Sequence, residues 1–476
     1  MQPSYASLLS DPIFSTVGDV ADSLGAETYV VGGYVRDLFL EIASKDIDFV
    51  TVGSGISLAK EVARTLGNKA SVAVFANFGT ASINAPGVNL EFVGARKESY
   101  SRDSRNPIVE NGSLTDDLSR RDFTINAMAI NVGHDRFGEL IDLFDGMGDL
   151  QKKIIRTPLD PDTTFSDDPL RMLRAIRFAT RLGFSINGET FKSIKRNASR
   201  MQIITRERIN DELMKIMATK RPSIGFRLLD MAGLLPYVLP ELEDLKGVET
   251  RDGKGHKDNF AHTLQVLDNV AATSDDIWLR WAALLHDIAK PACKRWDPKL
   301  GWTFHGHNIL GEKMVPRIFR KMKMPLNDKM KFVAKLVGMH MRPQNVADEG
   351  VTDSGVRRLI TDAGEDITAL MTLCEADITS KNPEKVKRQL AGFKALRIRM
   401  EEVQAADDYR NWKNPVNGRE IMKYFNLSPG HKIAEIKEAV KEAILDGKVA
   451  NNHDAAWEFA KIWAKENLGL EKEALD

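Results

Sequence analysis

Residues 29–53 read YVVGGYVRDLFLEIASKDIDFVTVG, and the order of these pieces decides the fold of the first part of the chain. A β-branched run ends at Val31, and Gly32 and Gly33 follow at once. Lacking Cβ atoms, they let the backbone come close to a phosphate and turn N–H groups toward it. Arg36 falls one turn into the helix expected next, suited either to a triphosphate or to pairing with Asp37. Asp46 and Asp48 then flank Ile47 inside an apolar strand. Period-two alternation puts both carboxylates on one face and Ile47 and Phe49 on the other. Paired carboxylates repel each other and lose hydration, so an all-oxygen set of this kind favours divalent cations, Mg²⁺ first. A third acid is expected on a neighbouring strand, and Glu91 in VNLEFVGA is the candidate. Two-metal chemistry, with a hydroxyl attacking and pyrophosphate departing, suits such a set. A lone DxD is more often a solvated strand edge; the GG and RD upstream favour catalysis.

Outward from this stretch, short β-rich runs (TYVVGG, DIDFVTVG, VNLEFVGA, NAMAIN, ELIDLFDG) mix with helical patches such as Ile56–Leu66. The expectation is an α/β or α+β head. Ser99–Ser119, rich in Arg, Asn, Gly and Asp, reads as a functional loop or lid. After Gly146 strands nearly stop and helices take over, among them Pro169–Leu182, Ile209–Met217, His262–Ala272, Ile277–Ala289, Asn327–His340 and Pro383–Gln404. The polar, Gly-bearing Leu245–Asn259 and the stretch Asn411–Gly418 read as boundaries. The expected division is a head at 1–150, a helical neck and body at 151–250, a helical domain at 251–410 and a helical tail at 411–476.

The chain has 476 residues, with Lys and Arg (67) balancing Asp and Glu (67). That excludes a chain-wide polycation but not a local basic groove. Two isolated cysteines, Cys293 and Cys374, build neither a disulfide scaffold nor a structural zinc site, which favours a reducing compartment. The first residues lack the basic start and apolar core of a secretory signal, and no long apolar run spans a membrane. A cytoplasmic protein is expected.

Three further segments narrow the reading: RRDFTINAMA at Arg120–Ala129, DDPLR at Asp167–Arg171 within DDPLRMLRAIRFATRLGF, and RERINDE at Arg206–Glu212. With GG and DxD they resemble the class II transfer RNA nucleotidyltransferase and bacterial poly(A) polymerase family, over residues 29–217 and more weakly beyond. The resemblance implies an α+β fold, a polymerase-β-like nucleotidyltransferase head with a small mixed sheet followed by an all-α neck and body, then a helical domain and tail. It implies that Asp122 holds the sugar 2′-hydroxyl, that Arg121 and its neighbours steady the triphosphate, and that Asn126 belongs to the same site. Carboxylates accept from hydroxyls, and guanidinium forks suit phosphate oxygens. Asp168 and Arg171, three apart and expected on one helical face with Arg174, are implied to read the Watson–Crick edge of the incoming base. An acceptor beside a donor can match cytosine or adenine without a nucleic-acid template. The family pattern has Glu where this chain has Asp167, which leaves that position's role in doubt. Arg177 reads as a salt-bridged helix residue, and Arg206, Arg208 and Glu212 as a helix-buttressing ion pair. The Ser99–Ser119 loop fits a segment that switches specificity between additions.

A second series, His262, His286-Asp287, His307, His340 and Asp377, resembles the HD superfamily of metal-dependent phosphohydrolases. Imidazoles with carboxylates suit a transition-metal or mixed divalent site, for example Ni²⁺, Mn²⁺ or Co²⁺. His305 is either an extra ligand or merely polar. Basic helices through Lys313–Lys335 and Lys385–Arg399 are candidates for RNA phosphate contact, while Trp278 and Trp281 read as core.

Together these point to an enzyme adding CMP, CMP and AMP to the transfer RNA 3′ end from CTP and ATP. The expected Mg²⁺ ligands are Asp46 and Asp48, with Glu91 as third acid and Gly32, Gly33, Arg36, Arg121, Asp122, Asn126, Asp168, Arg171 and Arg174 around the nucleotide. The rivals are a poly(A) polymerase, disfavoured by the acidic ending NLGLEKEALD, a specialised CC-adding or A-adding enzyme, and an HD-type phosphohydrolase. The oligomeric state is left open.

Overall fold

The run Thr28–Val31 forms strand β1, buried on both faces, and Asp46–Thr51 forms β2 antiparallel to it. The computed structural model describes residues 4–67, 70–76, 79–99, 108–255, 258–348, 350, 352–380, 382–406 and 412–471. It divides into two units, Met1–Glu243 and Asp244–Asp476.

Seven further strands complete the β-structure of the head: β3 (Ser71–Phe75), β4 (Thr80–Ala85), β5 (Val88–Gly94), β6 (Arg96–Ser99), β7 (Ile108–Asn111), β8 (Met128–Asn131) and β9 (Leu140–Asp142). The main sheet runs β3-β4-β5-β2-β1-β8-β9 and is mixed, because β2 and β5 pair in parallel while its other pairs are antiparallel. The inner face of β2 buries Ile47 and Phe49, and Phe49 stacks on Phe92 of β5 with ring centroids 5.1 Å apart. That leaves the outer face for Asp46 and Asp48. β3 and β4 add two strands that the β-rich runs of the sequence do not mark.

Ser99–Ser119 is corrected in part. Residues 100–107 lie outside the described residues, but β6 and β7 form a two-stranded hairpin. Leu114–Ser119 is a helix whose Ser113 and Asp116 make a capping box.

Beyond the head, helices Pro161–Asp167 and Leu170–Leu182 are separated by Asp168, which is extended (φ −137°, ψ 98°). Pro169 explains the break, since a residue before proline is pushed out of the α region. Asp168 and Arg171 therefore do not share a helical face, contrary to the expectation from spacing. Helices Arg206–Met217 and Pro222–Met231 pack on the Leu170–Leu182 helix through Leu173, Ile176, Ile216 and Phe226, all fully buried.

The second unit is mostly helical. Asn259–Thr273, Ile277–Leu285, His307–Lys321, Asp328–Met339 and Ile367–Ala376 pack around a core that includes Trp281, Leu264 and Phe319. The long helix Pro383–Ala406 and the tail helices Gly418–Tyr424, His431–Leu445 and His453–Leu468 follow. Among the described residues, no helix is long and apolar enough to cross a membrane.

Candidate active site and metal centre

In the head, the parallel register sets Asp48 opposite Glu91 and Asp46 opposite Asn89. In-register residues of parallel strands share a face, so Asp46, Asp48 and Glu91 point the same way. Asn89 Nδ2 donates to Asp46 Oδ1 at 3.0 Å. Burial pushes the Asp48 carboxyl above the usual carboxylate range; Arg121 opposes this, and the charges of Glu91 and Asp46 add to it. Three oxygen donors repelling one another on one face are the donor set a hard divalent cation takes. Their oxygens are not drawn as close as the histidine cluster of the second unit, where ligand atoms gather within 4.8 Å.

Gly32 leaves β1 with φ 75°, and a Cβ there would lie 2.8 Å from Arg121 Nη1 and 3.5 Å from Asp48 Oδ2. Backbone strain of this kind costs about 1–3 kcal/mol for a side-chain-bearing residue, and Arg121 would also have to move. Gly32→Ala should therefore lower the thermal midpoint, by the equivalent of about 1–3 kcal/mol. A thermal melt checks this; an unchanged midpoint would show that the close approach is dispensable.

The RRDFTIN segment is braced from below. Asp117, fully buried, accepts from Arg120 Nε at 3.0 Å and from Arg121 Nη2 at 3.0 Å. Asp122 accepts from the Phe123 N–H (2.9 Å), Asn126 Nδ2 (3.0 Å) and Arg174 Nε (2.7 Å). Burial works against its charge, but Arg174 and Asn126 outweigh it and hold the carboxyl at about 2. Asn126 is a bridge, because its Oδ1 accepts from Arg36 Nη1 at 2.7 Å. Arg36 itself is buried and donates through Nε to Asp37 at 2.8 Å. Arg36 is thus paired with Asp37, while its guanidinium still borders the cavity.

The cavity is about 590 Å³ and is bordered by eight arginines, including Arg120, Arg121, Arg171, Arg174 and Arg208, but only four aspartates: Asp46, Asp48, Asp122 and Asp168. Asp37, Asp117 and Glu212 behind the wall pair with Arg36, Arg120, Arg121 and Arg177, so what the cavity offers is less a large net charge than a dense array of oriented N–H donors, which suits phosphate oxygens. Gly33 also borders it. Asp168 accepts from the Leu170 N–H at 3.1 Å and from Arg208 Nη2 at 2.9 Å. Arg171 Nη2 donates to the Arg120 carbonyl at 2.7 Å. Both are thus held on the wall by other partners.

The expected Arg206–Arg208–Glu212 buttress is corrected. Glu212 pairs with buried Arg177, Arg206 donates to the Tyr237 carbonyl, and Arg208 belongs to the cavity. Sequence reasoning also missed Phe178. Its ring lies under the guanidinium carbons of Arg177 (4.0 Å), Arg36 (5.0 Å) and Arg174 (5.5 Å), an arrangement that orients three cations by their attraction to a π-face. The signal was present as RAIRF, where an aromatic sits one residue past a run of arginines three apart.

In the second unit, His262, His286, Asp287, His307, His340 and Asp377 come together. Two triads have ligand atoms within 4.8 Å of one another, His262–His286–Asp287 and Asp287–His307–His340, and Asp287 belongs to both. Asp377 Oδ1 lies 2.9 Å from His262 Nε2. His307 Nε2 and His340 Nε2 face each other at 3.2 Å, while their Nδ1 atoms each donate to a backbone carbonyl. Two inward lone pairs that close, beside a carboxylate, are what a shared cation would satisfy. Burial opposes charge on His286, but Asp287 and Asp377 outweigh it and push it up to about 9. Burial and the nearby His286 push His340 down to about 4. Lys290 Nζ lies 2.6 Å from Asp287. A cavity of about 420 Å³ opens beside the cluster, with Lys290, Phe304, Gln344, Lys385 and Gln389 in its wall. His305 is exposed, outside both triads.

Residues 28–156 match the poly A polymerase head domain family, 183–246 the family described as a probable RNA and SrmB-binding site of polymerase A, and 259–382 the HD domain family. An A-adding tRNA nucleotidyltransferase of Deinococcus radiodurans is 32% identical over 451 residues, 92% of this chain and 96% of that protein. Another, from Aquifex aeolicus, is 50% identical over 167 residues, 35% of this chain and 20% of that protein. A multifunctional CCA protein of Psychromonas ingrahamii is 34% identical over 327 residues, 66% of this chain and 74% of that one. Among solved structures, a tRNA nucleotidyltransferase complexed with a primer tRNA and an incoming ATP analog is similar at 27% identity and TM-score 0.57, covering 80% of this chain and 98% of that one. A CCA-adding enzyme with ATP shares the fold at 22% identity and TM-score 0.65, covering 98% of this chain and all of that one.

Proposed function

Because the chain belongs to the tRNA nucleotidyltransferase family, we propose that it adds CMP, CMP and AMP to the 3′ end of transfer RNA from CTP and ATP, releasing pyrophosphate. The observation that carries this is one cavity joining the β2 carboxylates, the braced arginines and the Asp168–Arg171 wall. Asp46 and Asp48 would hold Mg²⁺, with Glu91 completing the acidic face. Bound there, the metal would lower the proton affinity of the attacking 3′-hydroxyl and neutralise charge on the departing pyrophosphate. Arg120 and Arg121, fixed by Asp117, would grip triphosphate oxygens. Asp122, with lone pairs beyond its three present donors, would accept from the ribose 2′-hydroxyl. Asp168 would accept from the exocyclic amine of cytosine or adenine, and Arg171 would donate to the adjoining ring nitrogen.

Arg208 is expected to hold the Asp168 carboxylate for this task. Arg208→Met should raise KM for CTP and ATP by about tenfold, one charge-assisted hydrogen-bond pair being worth about 1.5–3 kcal/mol, and relax selection against UTP and GTP. Unchanged nucleotide selection would return Arg208 to a purely structural role.

A second reading, addition of the terminal A alone, is favoured by the names of relatives, since the A-adding protein of Deinococcus radiodurans aligns over nearly the whole chain. Transfer RNA ending at the discriminator base, and the same RNA ending in CC, incubated with labelled CTP and ATP separately and together, separates the readings. Three residues on the first RNA support full CCA addition. One residue, confined to the second, supports A-addition, and a long adenylate ladder would select a poly(A) polymerase.

The histidine cluster supports a second metal centre for Mn²⁺, Ni²⁺ or Co²⁺ and a secondary phosphohydrolase activity. No turnover of 2′,3′-cyclic nucleotides with any of these ions, in metal-loaded protein, would remove that activity.

A further inference from the structure

Three of the four imidazoles in the cluster turn their outer nitrogen to a backbone carbonyl. His286 Nδ1 lies 2.8 Å from Ala283 O, His307 Nδ1 2.8 Å from Phe304 O, and His340 Nδ1 2.7 Å from Val337 O. A carbonyl oxygen only accepts, so Nδ1 carries a proton on each of these rings, and the lone pair of the neutral ring sits on the inward Nε2.

His262 is different. Its Nδ1 lies 2.8 Å from Thr379 Oγ1, while its Nε2 lies 2.9 Å from Asp377 Oδ1 and 3.5 Å from Asp287 Oδ2. A hydroxyl donates as readily as it accepts. Thr379 can accept the Nδ1 proton, which leaves Nε2 as a lone pair for a cation. It can equally donate to Nδ1 while the Nε2–H donates to Asp377. The same short segment therefore supplies a carboxylate, Asp377, and two residues later the hydroxyl that holds the outer nitrogen of His262.

We infer that Thr379 is a positioning residue of the metal centre: its hydroxyl accepts the Nδ1 proton of His262 in the metal-binding tautomer but, unlike the carbonyls that fix the other three rings, leaves the second tautomer open, making that ring the one switchable ligand of the four. It follows that the His262–His286–Asp287 position is the weaker and more readily exchanged of the two, while Asp287–His307–His340 is held by rings with fixed tautomers. This rests on the reading of the cluster as a divalent metal site.

The test uses the full chain with Asp46→Ala and Asp48→Ala, so that the head carboxylates do not contribute, stripped with chelator and titrated with Mn²⁺ alone. The unaltered cluster should bind at two positions of different affinity. Thr379→Val, which keeps the shape and removes the hydroxyl, should weaken the looser position by about 10–100-fold, the usual effect of losing an outer-shell partner, and leave the tighter one in place. Thr379→Ser should restore both to within about threefold. Equal binding by the valine variant, loss of the tighter position instead, or a serine variant as weak as valine would each overturn the assignment to the hydroxyl. Failure of the unaltered cluster to bind Mn²⁺ at all would remove the metal centre itself, and Thr379's role with it.

Discussion

Asp48→Ala should reduce nucleotide incorporation by about a thousandfold or more, roughly 4 kcal/mol of transition-state stabilisation, while leaving transfer RNA affinity nearly unchanged. Asp48 is the half-buried member of the acidic trio, directly in register with Glu91, so its loss removes the oxygen donor at the centre of the proposed Mg²⁺ site. The electrostatics add a second, independent expectation. Burial and the neighbouring carboxylates raise the Asp48 pKa. For a group raised in this way, the stabilising contribution is fully present below its unfolded pKa and lost as pH rises through the folded value. At neutral pH the ionised carboxylate therefore destabilises the fold, and the alanine variant should melt no lower than the parent. Incorporation assays, RNA binding at fixed salt and a thermal melt at pH 7 check the three parts. Retained activity would remove the metal assignment, and a markedly lowered melting temperature would show that Arg121's attraction dominates the site.

Much of the head was legible because its chemistry is local in sequence. Gly32, Asp46 and Asp48 lie within one β-turn-helix-β passage, and strand alternation alone gives the common face of the two aspartates. Glu91 could be named because an acid at a solvent-side position of an apolar strand is conspicuous. What alternation could not provide was the register that sets it against Asp48 rather than Asp46, since parallel pairing between strands forty residues apart depends on tertiary packing. β3 escaped for a related reason. SVAVF is composed of strand-forming residues, but as an edge strand with every residue exposed it lacks the apolar–polar alternation by which the other strands are read.

The base-reading wall was less legible. Three-residue spacing suggests a helical face only where the backbone is helical, and Pro169 interrupts it between Asp168 and Arg171. Arg208 lies forty residues downstream of its partner, so no local pattern links them, and reading RERINDE as self-contained paired Arg208 with the wrong acid. In the second unit, the identity and order of the histidines carried the reading. Their convergence to two triads sharing one carboxylate is a property of helix packing, visible only once Asn259–Thr273, His307–Lys321 and Asp328–Met339 are assembled.

That shared carboxylate makes Asp287 the position of largest expected effect in the second unit. Asp287 is buried and lies within 4 Å of His262, His286, His307, His340 and Lys290. Asp287→Asn keeps the shape but removes the one charge common to both triads. Binding of Mn²⁺ should fall by more than about 100-fold at both positions, beyond the 10–100-fold typical of losing an outer-shell partner, whereas His307→Ala should affect one position only. The metal-free protein should also be destabilised. Breaking a buried ion pair from one side costs about 3–5 kcal/mol, reduced here because the Lys290 side chain keeps 20% of its exposure. The pH dependence has a definite sign. His286, raised to about 9, contributes stability that is fully present below its unfolded value near 6.5 and fades as pH rises through 9. Removing the carboxylate that raises it should flatten that limb of the stability curve between pH 6.5 and 9. Chemical denaturation of parent and Asp287→Asn across this range, with chelator present, measures the difference directly. Parallel curves would mean that Asp287 does not hold the His286 charge, and undiminished Mn²⁺ binding at either position would break the shared-ligand arrangement.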